Sequence, residues 1–353
     1  MTSEALPIHR RLKHAVLRGL RTTGWFYLVA KSPWRRHRLP ILCYHGFSLR
    51  DEHRWNPALF VTRGQFEGRL SALKRGGYSV LPLGEGIERL RLGALPPKSV
   101  AITVDDGLFD FAAVAVPLLE RFAMHATVYA STYHVVHQRP VFTVMVSYLF
   151  WRGIENRVGV AHLRESGLSF PVGSRTEAVA AEEAIYRLAD AEHWTGDDRH
   201  AFLGAIASAV REDWDDLQAS RLLGLMTASE IAALDPATAD VQLHSHRHRV
   251  PRDRDLFTRE ILDNRSVLAG AGLDPAGLVH FCYPSGVHHP EFLPWLRDAG
   301  VVSATTCVAG LASRRDEPLL LPRIIDTTLT PEVEFEAWTS GIRGLLNRRT
   351  FGL

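Results

Sequence analysis

Two short polar clusters carry the residue types needed for metal chemistry, and each follows an apolar run. Asp105-Asp106-Gly107 comes directly after the run at 100–104, and His244-Ser245-His246-Arg247-His248 follows the run at 241–243. A divalent ion used for hydrolysis takes about three protein ligands and keeps one position open for water. One carboxylate and two histidines would supply those ligands, and the second carboxylate would remain as a base.

The adjacent carboxylates constrain where such a site can lie. Neighbouring side chains on a strand point to opposite faces, so Asp105 and Asp106 can reach one site only where the strand ends and the chain turns. Gly107 permits that turn. Taken alone, Asp-Asp-Gly is more often a plain turn, and a histidine cluster after a strand is more often a solvated loop. Two such clusters after two apolar strands favour the metal site.

Apolar strands alternate with helical stretches from residue 39 onward, which is typical of an α/β fold with a mostly parallel sheet. Strands are predicted at 40–45, 78–82, 99–104, 126–131, 240–244, 278–283, 302–306 and 319–325. Helices are predicted at 63–75, 84–92, 110–122, 255–270, 290–299 and 331–345. These elements predict a distorted (β/α) barrel of seven or eight strands over 39–353.

Residues 133–235 interrupt this alternation, because the region shows helical stretches and no strand pattern. We interpret it as a helical insertion carried on the barrel. Insertions at the carboxyl ends of barrel strands surround the active site, so this one could shape substrate access. Tyr133, Trp151 and Trp194 are its candidates for stacking on a sugar, although aromatic residues in helices more often belong to a core.

Composition limits the class of protein. With 353 residues, 46% of them hydrophobic, the chain can bury one large core together with an insertion. Three widely spaced cysteines argue against a disulfide framework and favour a reducing compartment. Residues 1–8 lack the pattern of a signal peptide, and the apolar run at 25–30 is too short to span a bilayer. We therefore expect a cytoplasmic protein.

Positive charge is concentrated in the N-terminal segment, residues 1–38, and just beyond it. Residues 5–50 contain ten Lys or Arg and no Asp or Glu. Within 9–31 these cations mix with apolar residues as in an interfacial helix, which predicts peripheral contact with an anionic membrane surface. The alternative is a basic helix packed on the domain. No nucleic-acid partner is expected, because no aromatic and basic binding motif accompanies the charge.

On these motifs the chain resembles the polysaccharide deacetylase family, the nodulation-protein-B-type deacetylases of carbohydrate esterase family four, over most of 39–326. The stretch at 103–107 matches the family's Thr-Phe-Asp-Asp-Gly with Val104 in place of Phe, and 244–248 fits His-Ser/Thr-x-x-His. The resemblance implies that Asp105 is the base and that a divalent metal, with zinc the expected ion, binds Asp106, His244 and His248. His246 would lie outside this ligand set.

The family's third motif, Arg-x-Pro-Tyr, is matched only in part by Cys282-Tyr283-Pro284-Ser285-Gly286, which lacks the arginine that orients the catalytic Asp. A turn at Pro284 could aim the backbone N–H of Ser285 at a developing oxyanion. Arg323 is the candidate to replace the missing arginine, the alternative being a surface arginine. We expect Tyr44, Tyr283 and Pro284 to contact the substrate.

The family's last motif supplies a histidine general acid, but no histidine follows His289. Tyr44-His45 resembles the start of a subgroup of exopolysaccharide deacetylases in which the acid histidine comes from the first strand. The first and last strands are neighbours in a closed barrel, so the imidazole could reach the same pocket by either route. His45 is therefore the predicted acid, against a purely structural strand-end histidine.

The combined prediction is a metal-dependent N-deacetylase that acts on an amino-sugar-containing glycan or glycolipid precursor. The basic N-terminal segment suggests a lipid-linked or nucleotide-linked sugar at the inner membrane face. Alternatives are a deformylase or O-deacetylase using the same residues, and a catalytically degenerate carbohydrate-binding protein. A mononuclear iron oxygenase also uses two histidines and one carboxylate, but the adjacent second carboxylate favours hydrolysis.

Overall fold

The computed structural model describes residues 8–137 and 139–346. Its strands, in chain order, are β1 (Ile41–Tyr44), β2 (Gly46–Phe47), β3 (Phe60–Val61), β4 (Ser79–Leu81), β5 (Ser99–Val104), β6 (Ala126–Ala130), β7 (Val160–Leu163), β8 (Leu168–Pro171), β9 (Ala239–Leu243), β10 (His280–Cys282), β11 (Ser303–Ala309) and β12 (Leu321–Ile325).

The helices over the same residues are α1 (Ile8–Thr22), α2 (Trp25–Lys31), α3 (Glu52–Trp55), α4 (Arg63–Arg75), α5 (Leu83–Leu92), α6 (Val116–Phe122), α7 (Tyr133–His137), α8 (Phe142–Glu155), α9 (Arg175–Ala191), α10 (Gly196–Ala209), α11 (Trp214–Ala219), α12 (Ala228–Ala232), α13 (Arg254–Gly270), α14 (Phe292–Asp298), α15 (Glu332–Ser340) and α16 (Ile342–Leu346). Short 3₁₀ turns lie at Pro33–His37, Pro275–Gly277, Pro284–Gly286 and Pro318–Leu320, and a π-helical turn at Phe111–Ala115 leads into α6.

A closed parallel barrel forms the centre of the molecule. Its seven strands follow the order β1, β12, β11, β10, β9, β6 and β5, and pairing of β5 with β1 closes the ring. The eighth strand, β4, pairs with the first half of β5. This confirms the predicted distorted (β/α) barrel, and each of the eight predicted strands is present.

These strands could be predicted because most of them are buried along most of their length and therefore contain apolar runs. All six residues of β5 are buried, as expected for a parallel strand covered on both faces. Helix α4 spans the predicted 63–75, because the Thr62 side chain accepts a hydrogen bond from the Gln65 amide and caps its first turn. The predicted helix at 331–345 is divided into α15 and α16 by Gly341, whose φ is +98°.

The region between β6 and β9 contains helices α7 to α12 and one antiparallel hairpin, β7–β8. The expectation that no strand occurs in 133–235 was wrong at this hairpin. Its strands have four residues each, and β7 buries only every second one. A strand this short, with one face in water, produces too few apolar positions to be recognised against helical neighbours.

The N-terminal helices pack on α15 and α16. Leu17 is buried against this layer, and Lys13 and His14 both contact the carboxylate of Glu334. One face of α1 is thus held by the domain, as the alternative interpretation of this segment proposed, while Leu12 and Val16 remain exposed. No helix among the described residues combines the length and apolar content needed to cross a bilayer.

The 3₁₀ turn that follows α2 fixes this layer to one end of the barrel. The buried guanidinium of Arg35 donates to the carbonyl oxygens of Ser99 at 2.8 Å and Thr339 at 3.0 Å. Ser99 is the first residue of β5, and Asp105 follows the last. The Arg35 turn therefore lies at the amino-terminal end of the strands, whereas the candidate site lies at the carboxyl-terminal end.

Candidate metal and catalytic site

The predicted site residues converge at the carboxyl ends of neighbouring parallel strands. His45 follows β1, Asp105 and Asp106 follow β5, His244 follows β9, and Arg323 lies within β12. In barrels of this type that end carries the functional side chains, since the loops there converge on the barrel axis. The topology thus brings together residues that are far apart in the sequence.

Three side chains form a cluster with the composition of a metal site. We call this group of side chains, Asp106, His244 and His248, the metal cluster. The Asp106 Oδ1 atom lies 3.2 Å from Nε2 of His244 and 3.2 Å from Nε2 of His248. His244 is buried, while Asp106 and His248 are partly exposed to solvent. The three donor atoms therefore converge on one point, and that point is accessible to solvent from the side of Asp106 and His248.

The chemistry of this cluster fits a divalent ion. The Nδ1 atom of His244 lies 2.9 Å from the carbonyl oxygen of Cys282, and a proton donated there leaves the Nε2 lone pair free for a metal. Two imidazoles and one carboxylate are the donor set of many catalytic zinc centres. Without a metal, the Nε2–H groups of protonated imidazoles donate to Asp106 instead, and although burial favours the neutral acid, these hydrogen bonds hold the pKa of Asp106 well below its usual range. The carboxylate of Asp106 is therefore ionised, as it would have to be to hold a metal.

A buried amide supports the histidine segment. The Asn264 Oδ1 atom accepts a hydrogen bond of 2.9 Å from the His244 backbone N–H, and its Nδ2 donates to the Ala130 carbonyl and to the Thr132 hydroxyl. This side chain links helix α13 to the ends of β6 and β9. It was not predicted, because one asparagine in an amphipathic helix resembles a solvent-facing residue.

Asp105 pairs with Arg323 in the barrel interior. The two guanidinium nitrogens lie 2.6 and 2.7 Å from the two carboxylate oxygens, and both side chains are buried. Burial alone would raise the pKa of Asp105, but the charge and hydrogen bonds of Arg323 outweigh it and hold that pKa below its usual range. The Cys282 thiol lies 3.3 Å from the same carboxylate. Arg323 therefore contacts the carboxylate that the missing motif arginine is expected to orient.

His45 borders the same carboxylate. Its Nε2 atom lies 3.7 Å from Asp105 Oδ2, and 17% of its side chain is exposed. Its buried Nδ1 atom has no hydrogen-bond partner among the described residues. The imidazole thus stands between the Asp105–Arg323 pair and solvent, within reach of a group bound at the metal cluster.

The residues predicted to contact substrate lie elsewhere. Tyr44 is buried, and its hydroxyl donates to Asp326 at 2.9 Å. Tyr283 is also buried and donates to the Leu319 carbonyl at 3.0 Å, and Pro284 is buried beside it. Both tyrosines are core residues, because the Tyr44 ring packs against Phe66 of α4 and the Tyr283 ring packs against Phe292 of α14. The prediction of substrate contacts by these three residues is corrected accordingly.

Two further predicted positions are placed as follows. Ser285 is exposed, and its φ of +54° lies in the left-handed region, so the chain turns sharply at this residue. The His246 ring lies outside the metal cluster, with Nδ1 2.9 Å from the Thr132 hydroxyl. That His246 is not a metal ligand stays a prediction.

A cleft of about 320 Å³ opens over the metal cluster and is bordered by His45, Asp106 and His248. Residues of the 133–235 region also line it, among them Val144 and Leu223. The cleft also contains His134, whose pKa burial lowers to about 4, with neighbouring histidines adding to the effect. The aliphatic lining was not predicted, because nothing in one sequence tells which loop residues meet over a site.

Comparison with known proteins agrees with this geometry. The sequence profile described as polysaccharide deacetylase matches residues 93–304. The Bacillus subtilis (strain 168) protein YxkH, which carries the name of the same family, is 29% identical over 134 residues, or 37% of this chain and 46% of YxkH. The match thus spans about half the length of that relative.

Solved structures share the fold. The Streptococcus pyogenes deacetylase PplD, in complex with acetate, superposes with a TM-score of 0.54 at 19% identity, covering 84% of this chain and 96% of PplD. IcaB from Ammonifex degensii gives 0.52 at 18% identity, covering 86% and 97%. Because the family profile matches more than half of the sequence and falls on the strands that carry Asp105, Asp106 and His244, the chain belongs to the polysaccharide deacetylase family.

Proposed function

We propose that the protein is a metal-dependent hydrolase that removes N-acetyl groups from an amino-sugar-containing glycan or glycolipid precursor. One observation carries the proposal: the cluster of Asp106, His244 and His248 lies beside a second carboxylate, Asp105, that is held ionised by Arg323. Membership of the polysaccharide deacetylase family supports hydrolysis of carbohydrate acetyl groups. The choice of amide over ester, and of zinc as the metal, is part of the proposal.

Each residue has a distinct role in the proposed reaction. A divalent ion held by Asp106, His244 and His248 supplies Lewis-acid chemistry at the acetamide carbonyl. Asp105 accepts the proton of the attacking water, since it is ionised and borders the cluster. Arg323 orients Asp105 through its two hydrogen bonds. His45 protonates the leaving amine, and the backbone N–H of Ser285 donates to the oxyanion. Acetate and a free amino sugar result.

The test is release of acetate and free amine from chitooligosaccharides and from lipid-linked N-acetylglucosamine by the zinc-loaded protein. Asp105→Asn should reduce turnover by about 10²–10⁴-fold, which is the contribution of a general base. Its metal content should stay at one ion per chain. Asp298→Asn, at an exposed position on α14, is the matched control and should behave as wild type.

The outcomes separate the alternatives. Acetate released only from O-acetylated sugars would replace the N-deacetylase by an O-deacetylase, and formate released from N-formyl sugars would indicate a deformylase. Bound metal without hydrolysis of any of these would favour a carbohydrate-binding role. Because Asp105→Asn leaves Arg323 unpaired, the double variant Asp105→Asn/Arg323→Gln provides a second, charge-balanced inactive form whose folding can be compared by circular dichroism.

We also propose that the α1–α2 segment contacts an anionic membrane surface as a peripheral anchor at the cytoplasmic face. Leu12, Trp25 and Leu28 are more than half exposed. Lys13 and Arg21 pair with glutamates of α15, but Arg11 and Arg18 are exposed on α1 and can meet anionic headgroups. The α2 helix packs beside the turn at the amino-terminal end of the barrel, so this contact would anchor the protein without covering the cleft.

Flotation with vesicles tests the anchor. Wild type should float with vesicles that contain phosphatidylglycerol, and less so with phosphatidylcholine alone or in high salt. Trp25→Ser/Leu28→Ser should lose flotation, whereas Leu262→Ser, which changes an exposed leucine on α13, should retain it. Wild-type protein that ignores anionic vesicles would refute the anchor and leave the proposed hydrolase untouched.

A further inference from the structure

The cleft over the metal cluster has a lining of two kinds. The polar part includes His45, Asp106 and His248. Six of the other lining residues are aliphatic, and we call them the aliphatic wall: Leu59, Leu108, Val141, Val144, Leu223 and Leu225. The remaining lining residues are Phe60, Ser131, His134, Thr143 and Arg247. Four of the six members of the aliphatic wall belong to the 133–235 region. That region therefore builds much of the surface that a substrate meets beside the metal cluster.

Hydrogen bonds fix this wall to the loop that carries the carboxylates. The Phe109 N–H donates to the Gly224 carbonyl at 2.8 Å, and the Met226 N–H donates to the Gly107 carbonyl at 3.0 Å. Leu108 and Leu225 form a β-bridge between the two segments. Leu223 and Leu225 are thus held beside Asp106 by the backbone itself, as a built part of the site.

The conformation of Leu223 points the same way. Its φ is +57°, in the left-handed region that leucine rarely adopts, and it lies in the cleft lining. Such strained residues persist only where the surroundings over-determine them, and they concentrate at functional sites. The fold thus tolerates strain to present an aliphatic side chain at this point.

The chemistry of the wall suits an alkyl chain. Aromatic rings offer flat faces for stacking on a sugar, but Tyr133, Trp151 and Trp194 are not among the residues that line the cleft, and Phe60, which does line it, is only 2% exposed. Trp151 packs against Tyr148 and is 9% exposed. When an alkyl chain lies against leucine and valine, its methylene groups leave water, and this transfer stabilises the complex. The same side chains cannot form a hydrogen bond with a sugar hydroxyl.

We infer that the substrate carries an alkyl or acyl chain that lies along the aliphatic wall, so that the enzyme acts on an amphiphilic amino sugar in preference to bare polysaccharide. This inference rests on the proposed hydrolase. The chain has two sources of the same chemistry. It could be the aglycone of a glycolipid, or it could be the acyl group of the scissile amide when that group is longer than acetyl.

Two substrate series separate these sources. The first is methyl, butyl and octyl glycosides of N-acetylglucosamine, and the second is the methyl glycoside with N-acetyl, N-butanoyl and N-hexanoyl groups. Release of free amine by the zinc-loaded protein is measured below the micelle concentration. We expect kcat/KM to rise by tenfold or more along one of the two series, because each methylene placed on the wall leaves water.

A wall variant shows where the chain binds. Leu223→Asn suits the left-handed backbone, since asparagine tolerates that region, and it replaces the aliphatic side chain by an amide. It should remove the gain along the responsive series, so that kcat/KM for the longest and the shortest member of that series becomes equal within about twofold, whatever the variant's activity on the N-acetyl methyl glycoside. Leu262→Asn, at an exposed position on α13, is the matched control and should keep the gain. Val144→Thr replaces a methyl group of the wall by a hydroxyl at nearly constant shape. It should also reduce the gain along the responsive series.

Each result decides between the claims. A rise along the glycoside series assigns the chain to the aglycone, and a rise along the amide series assigns it to the acyl group. Flat kinetics along both series, with free amine formed throughout, would overturn the inference and keep the hydrolase. No free amine from any compound would overturn both. A gain that survives in Leu223→Asn would place the chain elsewhere and refute the role of the wall.

Discussion

Arg323 holds both carboxylate oxygens of Asp105, at 2.6 and 2.7 Å, although 218 positions separate the two residues. The guanidinium is itself fixed by the Thr306 carbonyl at 3.0 Å and the Thr103 hydroxyl at 3.2 Å. Because both side chains are buried, neither charge is compensated by water if its partner is removed. This pair sets both the ionisation and the orientation of the carboxylate beside the metal cluster.

Replacing Arg323 should change the pH dependence of the reaction. In Arg323→Met the cation is gone and burial then raises the pKa of Asp105, so the acidic limb of the kcat/KM profile should move to higher pH. Arg323→Lys keeps the charge and loses the two-pronged geometry, so a smaller shift is expected. Both profiles would be measured with one N-acetylated substrate. Arg254→Met, at an exposed ion pair, is the control. If the profiles of wild type, Arg323→Met and Arg323→Lys superimposed, Arg323 would not control the ionisation of Asp105.

The same pair should affect stability with a defined sign. The pKa of Asp105 is lower in the folded chain than in the unfolded one, so the stabilisation is present above the unfolded pKa and is lost as pH falls through the folded value. Breaking the pair in Arg323→Met should cost about 3–5 kcal/mol at neutral pH, because a buried carboxylate is left unpaired. Urea unfolding as a function of pH measures both effects, and a cost under 1 kcal/mol would contradict this account.

His45 is expected to act as the general acid, and leaving-group dependence can show this. His45→Ala should lower turnover of an N-acetyl sugar by about 10²–10⁴-fold, since the amine must be protonated as it leaves. Hydrolysis of 4-nitrophenyl acetate should fall far less, because that leaving group needs no proton. His162→Ala, at an exposed histidine of the β7–β8 hairpin, is the matched control. Equal losses on both substrates would assign His45 a structural role.

The proximity of Asp106, His244 and His248 was predictable because topology and motif coincide. Parallel strands end at the same edge of a barrel, so Asp106 and His244 meet across 138 positions once β5 and β9 are recognised. Closure of the barrel likewise brings β12, which carries Arg323, beside β1, which His45 follows. The proximity of polar side chains at the ends of buried strands can therefore be predicted even when the exact bounds of each strand are not known.

Side-chain direction was harder to predict. Tyr44 and Tyr283 lie on strand ends that are buried on both faces, so no alternation of polar and apolar residues shows which face is which. The aliphatic wall depends on contacts between segments more than 100 positions apart, such as Leu108 and Leu225. Pairings between such distant segments leave no local pattern in the sequence. The sequence therefore predicted neither the burial of the two tyrosines nor the aliphatic wall.

The two buried tyrosines allow a direct test of this correction. Tyr44→Phe removes a hydrogen bond to the carboxylate of Asp326, which Arg69 also binds, and should cost about 1.5–3 kcal/mol. Tyr283→Phe removes a bond to a neutral carbonyl and should cost about 0.5–1.5 kcal/mol. Neither change should alter KM by more than about twofold. A raised KM with unchanged stability would restore the original prediction of substrate contact.

Gly107 should matter for metal binding as well as for stability. Its φ is +78°, and an added Cβ would lie 3.0 Å from the Ala130 Cβ and 3.2 Å from the Ala130 Cα. Gly107→Ala must therefore either strain the backbone, at about 1–2 kcal/mol, or displace the turn that presents Asp106. We expect lower stability in urea and a weaker affinity for zinc, measured by competition with a chelating dye.

Gly77→Ala separates the two effects of that substitution. Gly77 has a similar φ of +65°, but no heavy atom lies within 4 Å of an added Cβ, and the residue is in the turn before β4. It should therefore show the loss of stability due to backbone strain alone, with zinc affinity unchanged. If Gly107→Ala also bound zinc as tightly as wild type, the close approach to Ala130 would not control the position of Asp106. The left-handed turn after the two carboxylates would then be a matter of folding only.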